Sequence, residues 1–448
     1  MPSYLYKNYF INILFAIIPI SFIAGNLILN LNVLLLIISS LVFYGKDIFK
    51  IHLIFIDKLM LVFFSYVLFI GLFNNIYTYN IVGQSKDYLV IVKSILYLRF
   101  LIFYFIIRFL VVKNLFNFKI FFLTCSLSSL FVCLDLLYQF SFGYDIFGFE
   151  GNTRRLAGPF GDEQIAGSFL QRFSIFSFFS LICFSKINNK IILNILLILL
   201  FLLIMSGLMI AGNRMPMTMF ILLSILILSF EKKIRKYLIF FLFCTTIGVL
   251  ILNNFNTNFK KHLGNYKLRI TESVVFFQAI LIESKESKLI ESSKLNHSDY
   301  FIIIKDKKIQ IPNTYLKEFN SGFQTWKNNK YIGGGIKSYR KNCSLTYIIN
   351  CGPHPHNYYL EILSELGLIG FLILLIMFAK ILYDTFIKKY FLKISLQKEI
   401  LIIPFMFLFF IEIMPIRTTG SFFTTANATY IFLIVALTVA LSKRKKIN

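Results

Sequence analysis

Charge is scarce in this chain: Asp, Glu, Lys and Arg make up 15% of its 448 residues, against 57% hydrophobic residues and a mean hydropathy of +0.74. A soluble core cannot bury that much apolar surface, so an ordinary soluble protein is excluded. Acidic residues are the scarcer sign, 21 against 46 Lys and Arg, which leaves a net charge of +25. That excess does not point to nucleic acid, because no basic stripe accompanies a recognisable nucleic-acid fold. The first apolar run, Tyr9 to Gly25, lacks a small-residue cleavage site and has many more runs behind it, so it reads as a retained helix and not a removed signal peptide. Histidine numbers only five. Two of them, His354 and His356, stand two residues apart where a long polar stretch returns to an apolar run at Tyr358.

The apolar runs have spanning length, since about 20 helical residues cross a hydrocarbon layer of ~30 Å. Twelve are legible: 9–25, 27–45, 59–75, 89–110, 120–141, 165–185, 191–211, 215–230, 237–254, 357–379, 399–414 and 422–442. The expectation is an all-α polytopic membrane protein: spans 1 to 9 in residues 1–253, a large periplasmic loop at 254–356, and spans 10 to 12 with a cytoplasmic tail in 357–448. Basic residues set the sides. Lys46, Lys50 and Lys58, then Arg108, Lys113 and Lys119, Lys186 and Lys190, Lys232 to Lys236, Lys380 to Lys398 and the tail Lys443 to Lys446 fall in alternate connections. By the positive-inside rule these connections and both termini are cytoplasmic. The outer loop is itself cationic, with Lys260, Lys261, Lys267, Arg269, Lys337, Arg340 and Lys341, which suits an anionic substrate or anionic lipid headgroups.

Cys125, Cys133, Cys183 and Cys244 fall within spans, where a thiol packs as a small hydrophobe. Cys343 and Cys351 fall in the outer loop; in an oxidising compartment they can close a disulfide that holds His354 and His356, the alternative being two free thiols. Within that loop Glu283 to Lys294 suits an amphipathic helix, Tyr300 to Ile311 a hairpin turning at Asp306-Lys307, and Phe319 to Asn329 a helix leading into Gly333-Gly334-Gly335. The three glycines permit either a plain connection or a close backbone approach.

Arginines form the second constellation. Arg154 and Arg155 precede the span at 165, Arg214 occupies the tight turn Gly212-Asn213-Arg214, and Arg417 sits in another short outer turn. Next to hydrocarbon an arginine must pair, snorkel or bind an anion, and a planar guanidinium suits phosphate oxygens. For Arg154 and Arg417 snorkelling is an equal reading; for Arg214 the anion reading is favoured, its turn having few other polar residues. Lys93, Arg99, Asp135 and Arg172 lie inside spans; an Asp135–Arg99 pair between neighbouring helices would serve as structural glue, with a solute or proton path as the alternative.

Gly333-Gly334-Gly335-Ile336-Lys337-Ser338-Tyr339-Arg340, Cys343, Cys351, His354-Pro355-His356-Asn357-Tyr358-Tyr359-Leu360 and Glu365-Leu366-Gly367 with Gly370, preceded by Arg155-Leu156-Ala157-Gly158-Pro159-Phe160 and Gly212-Asn213-Arg214, resemble the signature of the O-antigen ligase and polymerase superfamily. The resemblance covers roughly 150 to 380 and departs at Asp162-Glu163, where many members have Pro-Asn. It implies a GT-C-like, metal-independent, cofactor-free inverting glycosyltransferase that moves a glycan from an undecaprenyl-diphosphate-linked donor to a lipid A-core sugar hydroxyl or other glycan acceptor. On that resemblance His356 and Arg214 are catalytic; Arg155, Arg154, His354 and Asn357 bind substrate, and Arg269 and Arg340 compete as the second diphosphate contact. A polymerase joining lipid-linked repeat units shares the motifs. A transporter explains the spans but needs no large outer segment ending in His-Pro-His-Asn, and a metal receptor built on His-x-His lacks a clear third ligand.

Overall fold

In the computed structural model the described residues are 2–80, 88–151, 155–231, 289–291, 300–304, 307–310, 313–344, 351–393, 400–415, 417–418 and 420–442, with single helical positions between 239 and 264. The span expected at 237–254, Arg154, Arg269 and the tail Lys443 to Lys446 lie outside them, the span almost entirely.

A long apolar run in a medium without water must satisfy its own backbone, and the helix does so within one segment. The helices are α1 (Pro2–Ala16), α2 (Ile18–Ile23), α3 (Asn26–Tyr44), α4 (Phe55–Asn80), α5 (Tyr88–Tyr97), α6 (Arg99–Val112), α7 (Phe118–Phe142), α8 (Ala166–Phe173), α9 (Ile175–Phe184), α10 (Lys190–Ile210) and α11 (Arg214–Phe230). After the polar segment follow α12 (Asn313–Asn328), α13 (Tyr339–Ser344), α14 (Tyr358–Leu382), α15 (Ile402–Glu412) and α16 (Thr425–Ser442). Among the described residues nine stretches are long and apolar enough to cross a membrane, while α11 and α15 are shorter apolar helices. The protein is a multi-pass membrane protein. Asparagine starts several of these helices by accepting otherwise orphaned N–H groups: Asn117 from Ile120 at 3.2 Å, Asn189 from Ile191 at 2.9 Å.

The core lies around α16, buried at every position from Ala428 to Leu441 and packed by α3, α6 and α15. Its fully buried Ala428, Ala436 and Ala440 let neighbouring backbones approach closely. Phenylalanines fill the spaces: Phe100 stacks on Phe432 at 5.9 Å, and Phe405 meets Phe122 and Phe176 at 5.7 and 5.1 Å. The periphery is the opposite. On α3, Leu27, Leu31, Leu34, Ile38 and Val42 are exposed at helical spacing, a stripe suited to lipid tails.

The polar segment is not wholly helical. Strands β1 (Leu289–Glu291), β2 (Tyr300–Ile304) and β3 (Lys307–Gln310) form an antiparallel sheet, with Ile290 opposite Phe301 and Ile304 opposite Lys307. The hairpin is thus present, although Lys307 already belongs to β3 instead of the turn. The helix expected over Glu283 to Lys294 is overturned at 289–291, where Leu289, Ile290 and Glu291 pair with β2 as strand; the rest of that stretch lies outside the described residues. The all-α expectation is corrected to that extent.

Candidate functional site

Because consecutive spanning helices alternate in direction, one end of the bundle collects the last residues of α7, α10 and α15 and the first residues of α8, α11, α14 and α16. Hydrogen bonds between these pieces fix the end as one unit. Asn213 Oδ1 accepts from Gly167 N at 3.2 Å, and the Asn357 amide donates to Pro415 O at 2.8 Å.

The histidines lie here. A disulfide joins Cys343 to Cys351, with Cα atoms 6.0 Å apart, and the chain runs from it directly into Pro353. His354 and His356 face each other with ring centroids 4.2 Å apart. His356 has φ 51°, left-handed backbone that a non-glycine residue seldom adopts and that marks a held position. Asn357 follows as the cap of α14, accepting from Tyr359 N and Leu360 N at 3.0 and 3.2 Å. Its side chain is therefore engaged in starting the helix and tying it to the carbonyl of Pro415.

Sequence reasoning missed the partner that α12 brings to this pair. Glu318 Oε1 stands 3.5 Å from His356 Nε2. One turn along the same face is Gly322, where a Cβ would meet Pro355 Cβ at 2.7 Å; only glycine lets α12 lie this close to the His-Pro-His loop. Burial pushes the Glu318 carboxyl up to about 7. Burial, then His356 and Lys337, push the His354 imidazole down to about 4, so it is neutral at physiological pH. His354 Nε2 and Glu318 Oε2 are both buried, and neither has a hydrogen-bond partner among the described residues.

The triple glycine docks into a break in α14. At Gly367 the backbone leaves the helical region (φ 67°, ψ −172°), and the loop supplies replacement bonds: Gly335 N to Glu365 O at 2.7 Å, Leu368 N to Lys330 O at 2.9 Å. A Cβ on Gly333 would come within 2.5 Å of Glu365 O, so the close approach that the glycines allow is to backbone. The loop also places Lys337. Its N–H donates to Glu365 Oε2 at 2.8 Å and its ammonium to Ser421 Oγ at 2.6 Å, while Glu361 Oε2 accepts from Phe422 N at 2.5 Å.

Beneath lies a buried charge network. Glu412 Oε1 accepts from Arg172 at 2.7 Å and from the Tyr358 hydroxyl at 3.1 Å, and its other oxygen pairs with Arg417. Arg172 also donates to Asn427 Oδ1 at 2.8 Å and lies over the Tyr430 ring at 4.6 Å. Arg417 is 5% exposed, so it pairs and does not snorkel. Arg172 is glue between α8, α14, α15 and α16. The expected Asp135–Arg99 pair does not form: Asp135 Oδ1 accepts from Ile146 N at 2.8 Å and Arg99 donates to Thr425 Oγ1 at 3.2 Å. Sharing a neighbourhood in sequence did not place those side chains on facing surfaces. Arg108 likewise leaves the solvent-facing basic set, being buried against Asp57.

Arg214 opens α11 behind Asn213, whose amide reaches Gln164 O at 3.0 Å. Arg155 is half-buried in the stretch that Gly158 N anchors to Gln139 Oε1 at 2.9 Å. Both thus stand at the histidine end, Arg155 in the connection between α7 and α8 and Arg214 at the start of α11, whereas the histidines rest on α12 and α14. Arg340 is exposed on α13 beside the buried Tyr339. Glu318, Glu361 and Glu412 had one signal available, acidic side chains in a chain poor in them; the last two lie inside apolar runs, where an ionisable group needs a stated partner.

No curated protein matches the chain. The family model described as O-antigen ligase matches residues 198–375, which takes in Arg214, the disulfide, the glycine loop, both histidines and the break in α14. With model and motifs in agreement over this stretch, residues 198–375 form an O-antigen ligase domain, of the O-antigen ligase and polymerase superfamily.

Proposed function

We propose that the protein is an inverting glycosyltransferase of the O-antigen ligase type, taking a glycan from undecaprenyl diphosphate to a lipid A-core sugar hydroxyl. The observation that carries the reading is the His356–Glu318 contact at 3.5 Å, held by a disulfide and a glycine-permitted helix contact inside the O-antigen ligase domain. The acceptor hydroxyl oxygen attacks the anomeric carbon as His356 takes its proton, and the bond to the diphosphate breaks. Glu318 steadies the imidazolium. Arg214 and Arg155, with Arg154 and either Arg340 or Arg269, receive the charge that builds on the departing diphosphate, so that no metal is required. His354, neutral and packed on His356, orients it.

The arrangement that goes with this chemistry is twelve spans with both termini cytoplasmic. Residues 1–253 and 357–448 are then membrane units, and 254–356 is a periplasmic segment. Deleting the gene tests the reading in cells: lipid-linked polymer accumulating beside a bare core supports the ligase, whereas one repeat unit left on the core assigns the polymerase reaction. In purified protein Arg214→Lys should lose most transfer, because an ammonium keeps the charge but not the paired donors. Chelator should leave the rate unchanged; inhibition reversed by added metal would overturn the metal-free step.

A further inference from the structure

Away from the histidines a cavity of about 270 Å³ opens between α3, α5, α6, the Lys337 loop and the start of α16. Its charged lining residues are Lys93, Arg99 and Lys337, and no Asp or Glu lines it among the described residues. We propose that this cavity binds a phosphate group carried by a lipid.

Four observations converge on an anion. The three cations are joined by the first residues of two long helices, Asn26 of α3 and Thr425 of α16, whose unsatisfied N–H groups and dipoles favour negative charge. Tyr97 lines the cavity at 4% exposure, and its hydroxyl has no partner among the described residues. Arg99 Nε is also buried without a partner there, although Nη2 reaches Thr425 Oγ1 at 3.2 Å. Glu361 and Glu365 stand behind Lys337, both 1% exposed and bonded to backbone N–H groups, outside the lining.

The position selects a lipid. Lys93 and Arg99 lie five and eleven residues past the first residue of α5, about 8 and 17 Å along a helix axis. Around Lys93 the surface is apolar: Leu89, Val92, Ile95 and Leu96 are 58%, 47%, 53% and 49% exposed, as a face turned to acyl chains would be. Cations at that depth need a counter-charge that arrives with its own hydrocarbon. A free phosphate would have to leave water to reach them; a phospholipid or a polyprenyl phosphate would not.

Native mass spectrometry of the purified full chain from zwitterionic detergent tests this, with phosphatidylglycerol, undecaprenyl phosphate and inorganic phosphate each offered as probe. One bound lipid phosphate is expected, its affinity at least tenfold lower in Lys93→Gln and Arg99→Gln. Displacement of phosphatidylglycerol by undecaprenyl phosphate assigns the site to the polyprenyl carrier; retention assigns it to a bilayer phospholipid; either supports the proposal. Equal retention of lipid by wild type and Lys93→Gln, whose exposed side chain can change without unfolding the helix, overturns it. So does binding of inorganic phosphate in preference to both lipids. The readout does not involve glycan transfer, so it stands or falls apart from the proposed reaction.

Discussion

Glu412→Gln removes the one carboxylate between two buried arginines. Glu412 is 2% exposed, Arg172 lies 2.7 Å from it, Arg417 pairs with its other oxygen, and both guanidinium groups are themselves less than a tenth exposed. Breaking a buried pair by removing one partner costs on the order of 3–5 kcal/mol, because the surviving charge stays desolvated. Here two charges survive, and the Tyr358 and Asn427 contacts to Arg172 offset only part of that. The loss should therefore fall in the upper half of the range. Arg172→Gln should cost less than Glu412→Gln, since Glu412 then still holds Arg417. In a Cys183→Ser, Cys244→Ser background the free thiols left are the fully buried Cys125 and Cys133, so a thiol-reactive dye added to detergent-solubilised protein during heating reports the opening of the bundle. If Glu412→Gln opens at the wild-type temperature, the network does not hold α8 to α15 and the reasoning fails.

Further outcomes can be checked together. His354 is pushed down to about 4 by burial, so the unfolded chain binds its proton first and stability falls as pH drops from about 6.5 through 4; His354→Gln should flatten that limb of a melting-temperature profile. Glu318 is pushed up to about 7, so its folded carboxyl keeps the proton longer and stability falls as pH rises from about 4.5 through 7; Glu318→Gln should melt above wild type at pH 8 and level with it at pH 4. Gly322→Ala places a Cβ 2.7 Å from Pro355 and should lower transfer several-fold by displacing the histidine loop, while circular dichroism stays unchanged. Cys343→Ser and Cys351→Ser should each lose about 2–3 kcal/mol locally by loop closure, with the double variant no worse, and maleimide should fail to label either cysteine in unreduced wild type.

Nine of the twelve expected spans were legible among the described residues because length and composition alone decide whether a helix can cross hydrocarbon. The hairpin and the helix through Phe323 and Trp326 followed from local pattern, the disulfide pair from its place in the outer loop, and His354–His356 from the rarity of histidine. What stayed hidden depends on which helix faces which. Arg172 and Glu412 are 240 positions apart, and nothing along the chain says that α8 meets α15. The same blindness produced the Asp135–Arg99 expectation. Glu318 escaped notice because an acid on a polar helix looks like a solvated face; the mark that distinguishes it is Gly322 one turn later, which has meaning only once Pro355 is seen against it.

The central claim is that His356 receives the acceptor's proton. The most direct measurement is transfer by purified His356→Ala from an undecaprenyl-diphosphate-linked glycan to a lipid A-core acceptor, followed by gel shift of the product, with the melting temperature recorded on the same sample. The predicted result is a loss of about a hundredfold or more with unchanged melting, since a positioned base contributes roughly that much. Wild-type turnover in the folded variant would contradict it.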